Sequence, residues 1–501
     1  MITRRNTYRP GLGAAALLAS TACMASAHAD STAAPTTQQL EAQIQALQQE
    51  LNSVKTAQAA APAPVAEPAQ APSFPKGDGS LTLYGITLYG TVDLGVTYQT
   101  HGTPLSSDLS TGLEYLVSKN SNQHYFGFGP NGLSQSKIGL KGSEDLSDVL
   151  PGFSAVFKLE TSFLPTSGML SDSVGAMAHN NGVPLNQQTS NADSSRAGQI
   201  FNQQAYAGLS SPVWGTLTFG RQYSLELDGI VVYDPMGGSN AFSVIGYSGV
   251  TGGFGVTQAA RLDNTVKYVI KAAPVRFGFL YQFPQNSGTG GRAYEFDVGA
   301  DYQGFSIDAL YNNKKDEISA SPLSSLLNPM GIPYPTNSLQ ATISDNWSTS
   351  IMARYELDPF KAYFGWEHIF YANPTDPIPV NYTDIGGYTL SVVNNAAYLN
   401  NKQLDVFWLG GKYAVNSNVD LTGAWYHYNQ NSYHGDDNCK SAAFSSCSGT
   451  LDAFSGVADY KFSHRFDIYG GAMYSIVDGG LASGYLHRGS IDPMIGARFN
   501  F

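Results

Sequence analysis

The sequence contains few charged residues and few cysteines, and it has no long apolar run after residue 29. Only 13% of its 501 residues are charged and only three are cysteines. A membrane-spanning helix needs about 20 consecutive apolar residues, so spanning helices are excluded from the chain after residue 29. Acids outnumber bases by 39 to 27 and no block of basic residues is present, which argues against nucleic acid as a partner.

The first 29 residues predict a secretory signal peptide. Arg4, Arg5 and Arg9 form a positive start, residues 12–23 are mostly small and apolar, and residues 27–29 offer an A-x-A cleavage site. This segment holds three of the bases and none of the acids. The mature chain therefore has 24 bases against 39 acids, a net charge of −15.

Residues 30–58 predict a short coiled coil, and residues 59–79 predict a linker rich in alanine and proline. Apolar residues recur in the first segment at alternating spacings of four and three, which is typical of a coiled-coil seam. The seam residues are Leu40, Ile44, Leu47, Leu51 and Val54. Because about two heptads are too short to associate alone in water, we expect a periplasmic stalk that joins copies already held together. A single amphipathic helix packed on its own domain is the alternative.

Residues 80–501 predict an all-β domain. Between residues 80 and 98, apolar and polar residues alternate for longer than a globular strand usually lasts. Ile86 and Leu88 share one face of this predicted strand, whereas Thr87 and Tyr89 share the other. A strand that crosses the hydrocarbon core of a membrane needs about 9 to 11 tilted residues, and this stretch provides them.

The same alternation indicates sixteen strands, joined by links of two kinds. The strands are centred near residues 90, 139, 158, 206, 218, 266, 279, 298, 309, 351, 365, 407, 424, 455, 470 and 497. Short links, such as residues 145–151 and 272–274, contain Gly, Pro or Asp and predict turns. They alternate with long links, such as residues 99–134 and 222–260. This arrangement is typical of a closed 16-stranded antiparallel transmembrane β-barrel.

The last residues have the same pattern and end on an aromatic side chain. Ile495, Ala497, Phe499 and Phe501 share one face of the predicted final strand, and Arg498 lies on the other. This ending resembles the terminal strand of Gram-negative outer-membrane barrels. The resemblance implies an outer-membrane location, with the stalk of residues 30–58 in the periplasm.

Five ordered sequence blocks carry a family resemblance. They are SKIGLKGSEDL at residues 136–146, FKLETSF at 157–163, IFNQQAYAGL at 200–209, WGTLTFGRQY at 214–223 and RLDNTVKY at 261–268. These blocks resemble the general trimeric porins of Gram-negative bacteria, and the β-proteobacterial branch most closely. The resemblance implies a homotrimer of sixteen-stranded barrels, each narrowed by its third loop, in contact with outer-membrane lipid and lipopolysaccharide.

The resemblance also implies which residues line the pore. In the family, acids of the third loop face basic residues of the opposite side, and the acids of this loop are Glu226, Asp228 and Asp234. The opposite side would consist of Lys137, Lys141, Gln204, Arg221, Arg261 and Lys267. Alternatively, the acids cap turns within their own loop. Lys137 and Gln204 stand where arginine is usual, and together with the acidic net charge this departure predicts a cation preference.

Nothing in the sequence predicts an enzyme, a cofactor or a metal site. His368 and His427 have no nucleophile or carboxylate at motif spacing, and no helix follows the glycine-rich residues 288–291. Cys439 and Cys447 are the cysteines that remain after residue 29. In an oxidising compartment they predict a disulfide that staples a loop.

The favoured function is passive diffusion of small hydrophilic solutes and ions through a water-filled channel. A substrate-selective channel for sugars or organic acids is the alternative, because the sixth loop carries Tyr371, Tyr382, Tyr388 and Tyr398. A structural role, in which the stalk tethers the cell envelope, is a second alternative.

Overall fold

The computed structural model describes residues 81–100, 124–166, 168, 170, 200–245, 261–284, 291–322, 330–335, 338–385, 388–435, 439–483 and 487–501, with seven separate positions between residues 38 and 52. The chain divides into two compact units, Met1–Pro75 and Lys76–Phe501. In the first unit the described residues are helical and exposed, and they are Gln38, Glu41, Gln45, Ala46, Gln48, Gln49 and Asn52. The signal peptide, the coiled-coil seam and the linker lie outside the described residues, so these three domain assignments stay predictions.

The described part of the second unit is built almost entirely from β-strands. In chain order they are β1 (Leu81–Leu83), β2 (Ile86–Gln99), β3 (Tyr125–Pro130), β4 (Lys137–Asp145), β5 (Ser154–Ser162), β6 (Gln204–Ser211), β7 (Gly215–Tyr223), β8 (Arg261–Ala272), β9 (Val275–Gln282), β10 (Ala293–Tyr302), β11 (Phe305–Pro322), β12 (Ser338–Leu357), β13 (Phe360–Ala372), β14 (Tyr382–Ile385), β15 (Tyr388–Asn394), β16 (Lys402–Ala414), β17 (Val419–Gln430), β18 (Gly449–Lys461), β19 (Phe466–Gly479) and β20 (Gly489–Asn500). Helix α1 (Leu225–Tyr233) follows β7, and a 3-10 helix (Gly480–Ala482) follows β19. Among the described residues, no helix is both long and apolar enough to cross a membrane.

Sixteen of the described strands form a closed antiparallel barrel. They are β2, β4–β13 and β16–β20, each paired with the next, and β20 returns to pair with β2. All sixteen predicted strand centres fall within these strands, so the predicted fold class is confirmed. Of the remaining four, β14 and β15 lie in the sixth loop, where β15 runs parallel to β12.

Side-chain alternation gives the barrel an inner and an outer surface. Along β16, the inward residues Leu404, Val406 and Trp408 are buried, whereas the outward Leu409 is 54% exposed. Exposed Phe, Val, Ile and Leu side chains recur at outward positions around the barrel. Because the strands pair with one another and the sheet closes, the barrel leaves no unpaired strand edge towards the lipid.

The first two positions of the barrel differ from the sequence-based expectation. Residues 81–99 form a tight hairpin rather than one long strand, because Tyr84 and Gly85 adopt φ angles of 49° and 76° and turn β1 back onto β2. The second position is shared by two strands. β3 pairs with the second half of β2 and β4 pairs with its first half. The sequence predicts one link over residues 99–134 followed by one strand. In the structure, residues 131–136 instead separate two strands, β3 and β4, that both pair with β2.

The interruption between β3 and β4 is held at the inner surface by Asp93. This carboxylate is fully buried and accepts the backbone N–H groups of Gly132, Leu133 and Ser134 at 3.2, 3.0 and 2.8 Å. The hydroxyl of Tyr469 donates a further hydrogen bond of 2.6 Å. A buried carboxylate with four donors is well satisfied, so it fixes the backbone at the interruption.

Candidate functional site

Residues 224–245, which we call the inner segment, begin with helix α1. The hydroxyl of Ser224 accepts the N–H of Leu227 at 3.0 Å and so caps the start of the helix. Asp234 caps its end, where its own N–H donates to the carbonyl of Ile230 at 2.9 Å. The buried residues of the helix are Leu225, Glu226, Leu227, Gly229, Ile230 and Tyr233. The exposed residues are Asp228, Val231 and Val232, which share one helical face.

The first half of the inner segment is anchored to strands β10, β11 and β12. The side chain of Glu226 is fully buried and accepts hydrogen bonds from Asn312 at 2.6 Å and from Ser350 at 2.9 Å. The backbone N–H of Leu225 donates to the carboxylate of Glu295. Because these partners leave the carboxylate of Glu226 satisfied, the start of the helix is fixed against the inner surface.

The second half of the inner segment is anchored to strands further around the barrel. The indole N–H of Trp408, on β16, donates to the carbonyl of Tyr233 at 3.0 Å. The hydroxyl of Tyr426, on β17, donates to the carboxylate of Asp234 at 2.7 Å. That carboxylate also accepts the N–H of Gly238 at 2.7 Å. Asp234 therefore joins the turn after the helix to the barrel.

The end of the inner segment contacts the interruption between β3 and β4. The hydroxyl of Ser239 and the N–H of Ala241 donate to the carbonyl of Gly132 at 2.7 and 3.0 Å. The ring of Phe242 meets the ring of Tyr469 edge to face, with centroids 6.1 Å apart. Since its partners project inwards from β10–β12, β16, β17 and β19, the inner segment lies inside the barrel.

Apolar packing fills the interior between the inner segment and strands β13–β20. The inner segment contributes the buried side chains of Phe242, Val244 and Ile245. The barrel contributes Ile369, Leu404, Val406, Trp408, Tyr426, Tyr428, Leu451, Met473, Val477 and Met494. Among the described residues, side chains packed in this way fill this part of the interior.

The exposed helix face points towards strands β5–β8. Asp228 forms an ion pair with Lys267 of β8, and Nζ of Lys267 also donates to the carbonyl of Tyr223 at 2.9 Å. The side chain of Asp228 is 47% exposed. Next to it, Val231 and Val232 are 52% and 40% exposed. Two valines and one paired acid therefore form the open face of the inner segment.

Strands β2, β4 and β5 carry a group of residues that we call the lysine wall, comprising Lys137, Lys141, Lys158, Tyr89 and Glu160. The carboxylate of Glu160 is buried and lies 3.5 Å from Nζ of both Lys137 and Lys158. The hydroxyl of Tyr89 donates to it at 2.8 Å. Among the described residues, Lys141 has no carboxylate within 4 Å and is exposed. Two cations thus contact the single carboxylate of this group, and a third lies against the ring of Tyr89.

The ring of Tyr89 lies between the lysines of this wall. Nζ of Lys141 is 5.4 Å from the ring centroid and Nζ of Lys158 is 5.6 Å from it, within cation–π range. Lys141 and Lys158 are direct cross-strand partners on β4 and β5. The ring reaches this position because it covers Gly139, where a Cβ atom would come within 2.5 Å of the ring.

The other predicted pore residues are buried and engaged next to the lysine wall. Gln204 donates to Glu160 at 3.3 Å. Arg221 donates to the carbonyl of Asn202 at 2.6 Å and pairs with Asp263 at 2.7 Å. Arg261 donates to Gln203 at 2.7 Å and to Gln135 at 3.0 Å. These side chains extend the polar surface, but their donors are committed to protein partners.

The placement of the loop acids differs from the expectation for two residues of three. Asp228 lies on the open face, as expected. Glu226 and Asp234 are only 0% and 2% exposed and bind the barrel instead of facing open space. The reason is the set of hydroxyl and amide donors that β11, β12 and β17 present to them. A selectivity role for all nine predicted pore residues stays a prediction.

Sequence reasoning missed four residues that organise this region. They are Tyr89, Lys158, Glu160 and Tyr223, whose hydroxyl lies 2.9 Å from Oε1 of Glu160. Alternation alone places Lys158 and Glu160 inwards, because Phe157 before them and Leu159 between them lie on the other face. No sequence signal brings Tyr89 of β2 to β5, 71 positions further along the chain.

Cys439 and Cys447 lie together in the last long loop but one. Their Cα atoms are 4.9 Å apart, within the range of a disulfide, and the structure contains a bond between them. That this disulfide forms in the cell and holds the loop together stays a prediction. In the described ranges, no group of three or more His, Cys, Asp or Glu side chains is arranged to hold a metal ion.

We expect Gly139→Ala to displace Tyr89 from the lysine wall. The added methyl group would lie 2.5 Å from Cζ and Oη of that ring, so the ring must move and its hydrogen bond to Glu160 is lost. The expected cost is about 1–3 kcal/mol, measured as a lower urea midpoint of the purified protein in detergent. Gly456→Ala is the control, because nothing lies within 4 Å of its added Cβ. Equal midpoints for the two variants would contradict the described position of Tyr89.

We expect Tyr426→Phe to loosen the second half of the inner segment. Loss of the hydroxyl leaves the buried carboxylate of Asp234 without its 2.7 Å donor, at a cost of about 1–3 kcal/mol. The measurement is the urea midpoint in detergent, together with current fluctuation of the open state in planar bilayers. Tyr413→Phe is the matched control, since that ring is 46% exposed. Equal urea midpoints and equal current fluctuation in the two variants would show that Asp234 does not anchor the inner segment.

Comparison with known families decides what kind of barrel this is. The family model of the Gram-negative porins matches residues 14–480. The chain belongs to the Gram-negative porin family. This porin is also 28% identical over 202 residues to an outer membrane porin protein of Bordetella pertussis, a match that covers 40% of this chain and 43% of that relative. The chain thus matches less than half the length of that curated relative.

Solved structures share the fold of this porin. The anion-selective porin from Comamonas acidovorans aligns with a TM-score of 0.53 and 17% identity, over 83% of this chain and 99% of that one. OmpT from Vibrio cholerae, in a trimer form, aligns with a TM-score of 0.50 and 14% identity over 83% and 99%. At these identities the likeness establishes the fold alone.

Family membership confirms three predictions from the sequence. The resemblance to porins is confirmed by the match over most of the chain. The outer-membrane location is confirmed by the family and by the Bordetella relative. The prediction that the chain is not an enzyme is confirmed, since these relatives are porins.

Proposed function

We propose that this porin forms a water-filled channel through which small hydrophilic solutes and ions diffuse passively across the outer membrane. The observation that carries the proposal is the inner segment, which crosses the inside of the barrel and presents Asp228, Val231 and Val232 towards the lysine wall. Solutes would pass between these two surfaces. The inner segment would therefore narrow the channel, as the resemblance to porins implies for the third loop.

We infer that the narrow part prefers anions, instead of the cations expected from the net charge. The lysine wall has three lysines and one carboxylate, since Lys137 and Lys158 share Glu160, and Asp228 is already paired with Lys267. Ions respond most strongly to charges within about one Debye length, roughly 8 Å at physiological ionic strength. Local lysines thus outweigh acids that lie elsewhere on the chain.

The proposal includes a homotrimer in contact with outer-membrane lipid and lipopolysaccharide. OmpT from Vibrio cholerae, which shares the fold, is described in a trimer form. The seam of residues 30–58 would join three copies on the periplasmic side. Exposed outward side chains such as Phe126 and Phe128 offer apolar surface to neighbouring copies or to lipid.

Planar-bilayer recording of the purified full-length porin tests this function. We expect stepwise increases of conductance that arrive in groups of three, because one trimer inserts three channels together. Faster migration on a gel after boiling would show that the unboiled sample contained folded trimers. Folded protein that inserts without any conductance steps would contradict the proposed channel.

A further inference from the structure

The lysine wall contains a like-charge pair that the fold does not require. Lys141 and Lys158 are direct cross-strand partners, an arrangement that destabilises a sheet. Both ammonium groups lie within 5.6 Å of the centroid of Tyr89. Among the described residues, the lysines within 4 Å of Glu160 are Lys137 and Lys158, so Glu160 does not neutralise Lys141. An anion placed between Lys141 and Lys158 would relieve this repulsion.

The exposed face of helix α1 carries two valines beside Asp228. Val231 and Val232 are 52% and 40% exposed. All other residues of α1 except Asp228 are buried. A channel for inorganic ions alone has no use for exposed valines at its narrow part. Apolar surface that stays exposed in this way gains free energy when an apolar group covers it.

Aromatic surface continues alongside the pair. Tyr206 is the direct cross-strand partner of Lys158 on the other side of β5. Nζ of Lys158 is also 5.9 Å from the ring centroid of Tyr223. The space between the two surfaces is therefore bordered by ammonium groups, tyrosine rings and valine methyl groups.

We propose that this space binds small organic carboxylates with an apolar or aromatic body, and that it thereby makes the porin more permeable to them than to equally charged polar anions. The inference rests on the proposed channel function and adds its preferred substrate class. The carboxylate would lie between Lys141 and Lys158, and its body would lie against Tyr89 on one side and Val231 and Val232 on the other.

The chemistry of this space favours a carboxylate over other solutes. Phosphate sites commonly use the forked guanidinium of arginine, and here Arg221 and Arg261 are committed to protein partners. A neutral sugar would leave the repulsion between Lys141 and Lys158 in place. An organic cation would be repelled by both lysines.

Block of chloride current in planar bilayers tests the inference with benzoate and acetate as probes. The native porin is expected to be half-blocked by benzoate at a concentration about tenfold lower than by acetate, because only benzoate covers the valines and the tyrosine ring. The double variant Val231→Ser/Val232→Ser should bring the benzoate value to within about twofold of the acetate value. Lys141→Gln/Lys158→Gln should raise both values.

The matched control is Val213→Ser/Val415→Ser, which changes two valines in short turns that are 70% and 46% exposed. It is expected to keep the native difference between benzoate and acetate. Chloride steps with equal half-block by benzoate and acetate would overturn the substrate class and leave the channel function standing. An unchanged ratio in Val231→Ser/Val232→Ser would also overturn it. Absence of chloride steps would instead overturn the channel function on which the inference rests.

Discussion

Replacing Lys141 and Lys158 with glutamate is expected to reverse the ion preference of the channel from anions to cations. The change removes two of the three cations of the lysine wall and adds two carboxylates beside Glu160, which is already buried there. Field lines are concentrated in a narrow path with low-dielectric walls, so a few charges decide which ions enter. The measurement is the sign of the zero-current potential in a KCl gradient.

The control for this reversal is Arg465→Glu, a change of the same kind in the turn between β18 and β19. That residue lies in a turn and not on the inward face of a strand, so its reversal should leave the sign of the potential as in the native porin. If Arg465→Glu and Lys141→Glu/Lys158→Glu shift the potential equally, net charge and not the lysine wall sets the preference.

Replacing Glu160 with alanine is expected to destabilise the barrel by about 3–5 kcal/mol, because a buried ion pair that loses one partner leaves the other uncompensated. Glu160 is fully buried and accepts from Tyr89 at 2.8 Å, and it lies 3.5 Å from Nζ of Lys137 and of Lys158. Without it, the two ammonium groups and the tyrosine hydroxyl lose their shared acceptor. The measurement is reversible unfolding by urea in detergent.

Glu144→Ala provides the comparison for this loss of stability. Glu144 belongs to β4 and is exposed, and its side chain has no hydrogen bond or ion pair among the described residues. Its replacement should change the free energy of unfolding by no more than about 0.5 kcal/mol. A loss at Glu160 as small as the loss at Glu144 would show that Glu160 does not hold the lysine wall together.

The barrel could be predicted from the sequence because its signal is local. A strand with one face towards lipid and one towards water repeats every two residues, and each of the sixteen strands carries this repeat within its own span. The exceptions depend on backbone detail. The turn at Tyr84 and Gly85 and the interruption held by Asp93 leave the alternation on either side intact, so the pattern does not reveal them.

The site could be predicted only in part, because its assembly depends on distant residues. The inward positions of Lys137 and Lys141 follow from alternation within β4. The burial of Glu226 does not, since its partners Asn312 and Ser350 lie 86 and 124 positions away. The partner of Asp234, Tyr426, is 192 positions away. The residues next to a loop carboxylate in the sequence do not show whether it will face water or accept a hydrogen bond from a distant hydroxyl.

We expect the net charge to be a poor guide to the ion preference of the narrow part of the channel. Carboxylates that are paired or hydrogen-bonded, such as Asp228, Glu226 and Asp234, contribute little to the field along the path. Lys141 is exposed and lies against a ring instead of a carboxylate. The expected ion preference therefore depends on which charged side chains are paired, and only the three-dimensional structure gives this information.

The central claim is that solutes pass along the open face of the inner segment, and modification of Val231→Cys tests it most directly. An anionic methanethiosulfonate reagent would be added to single open channels, with Val213→Cys, in a short turn, as the control variant. Our account predicts that the reagent lowers the conductance of Val231→Cys and leaves that of Val213→Cys unchanged. Complete modification of Val231→Cys, shown by mass spectrometry, without a change in conductance would contradict it.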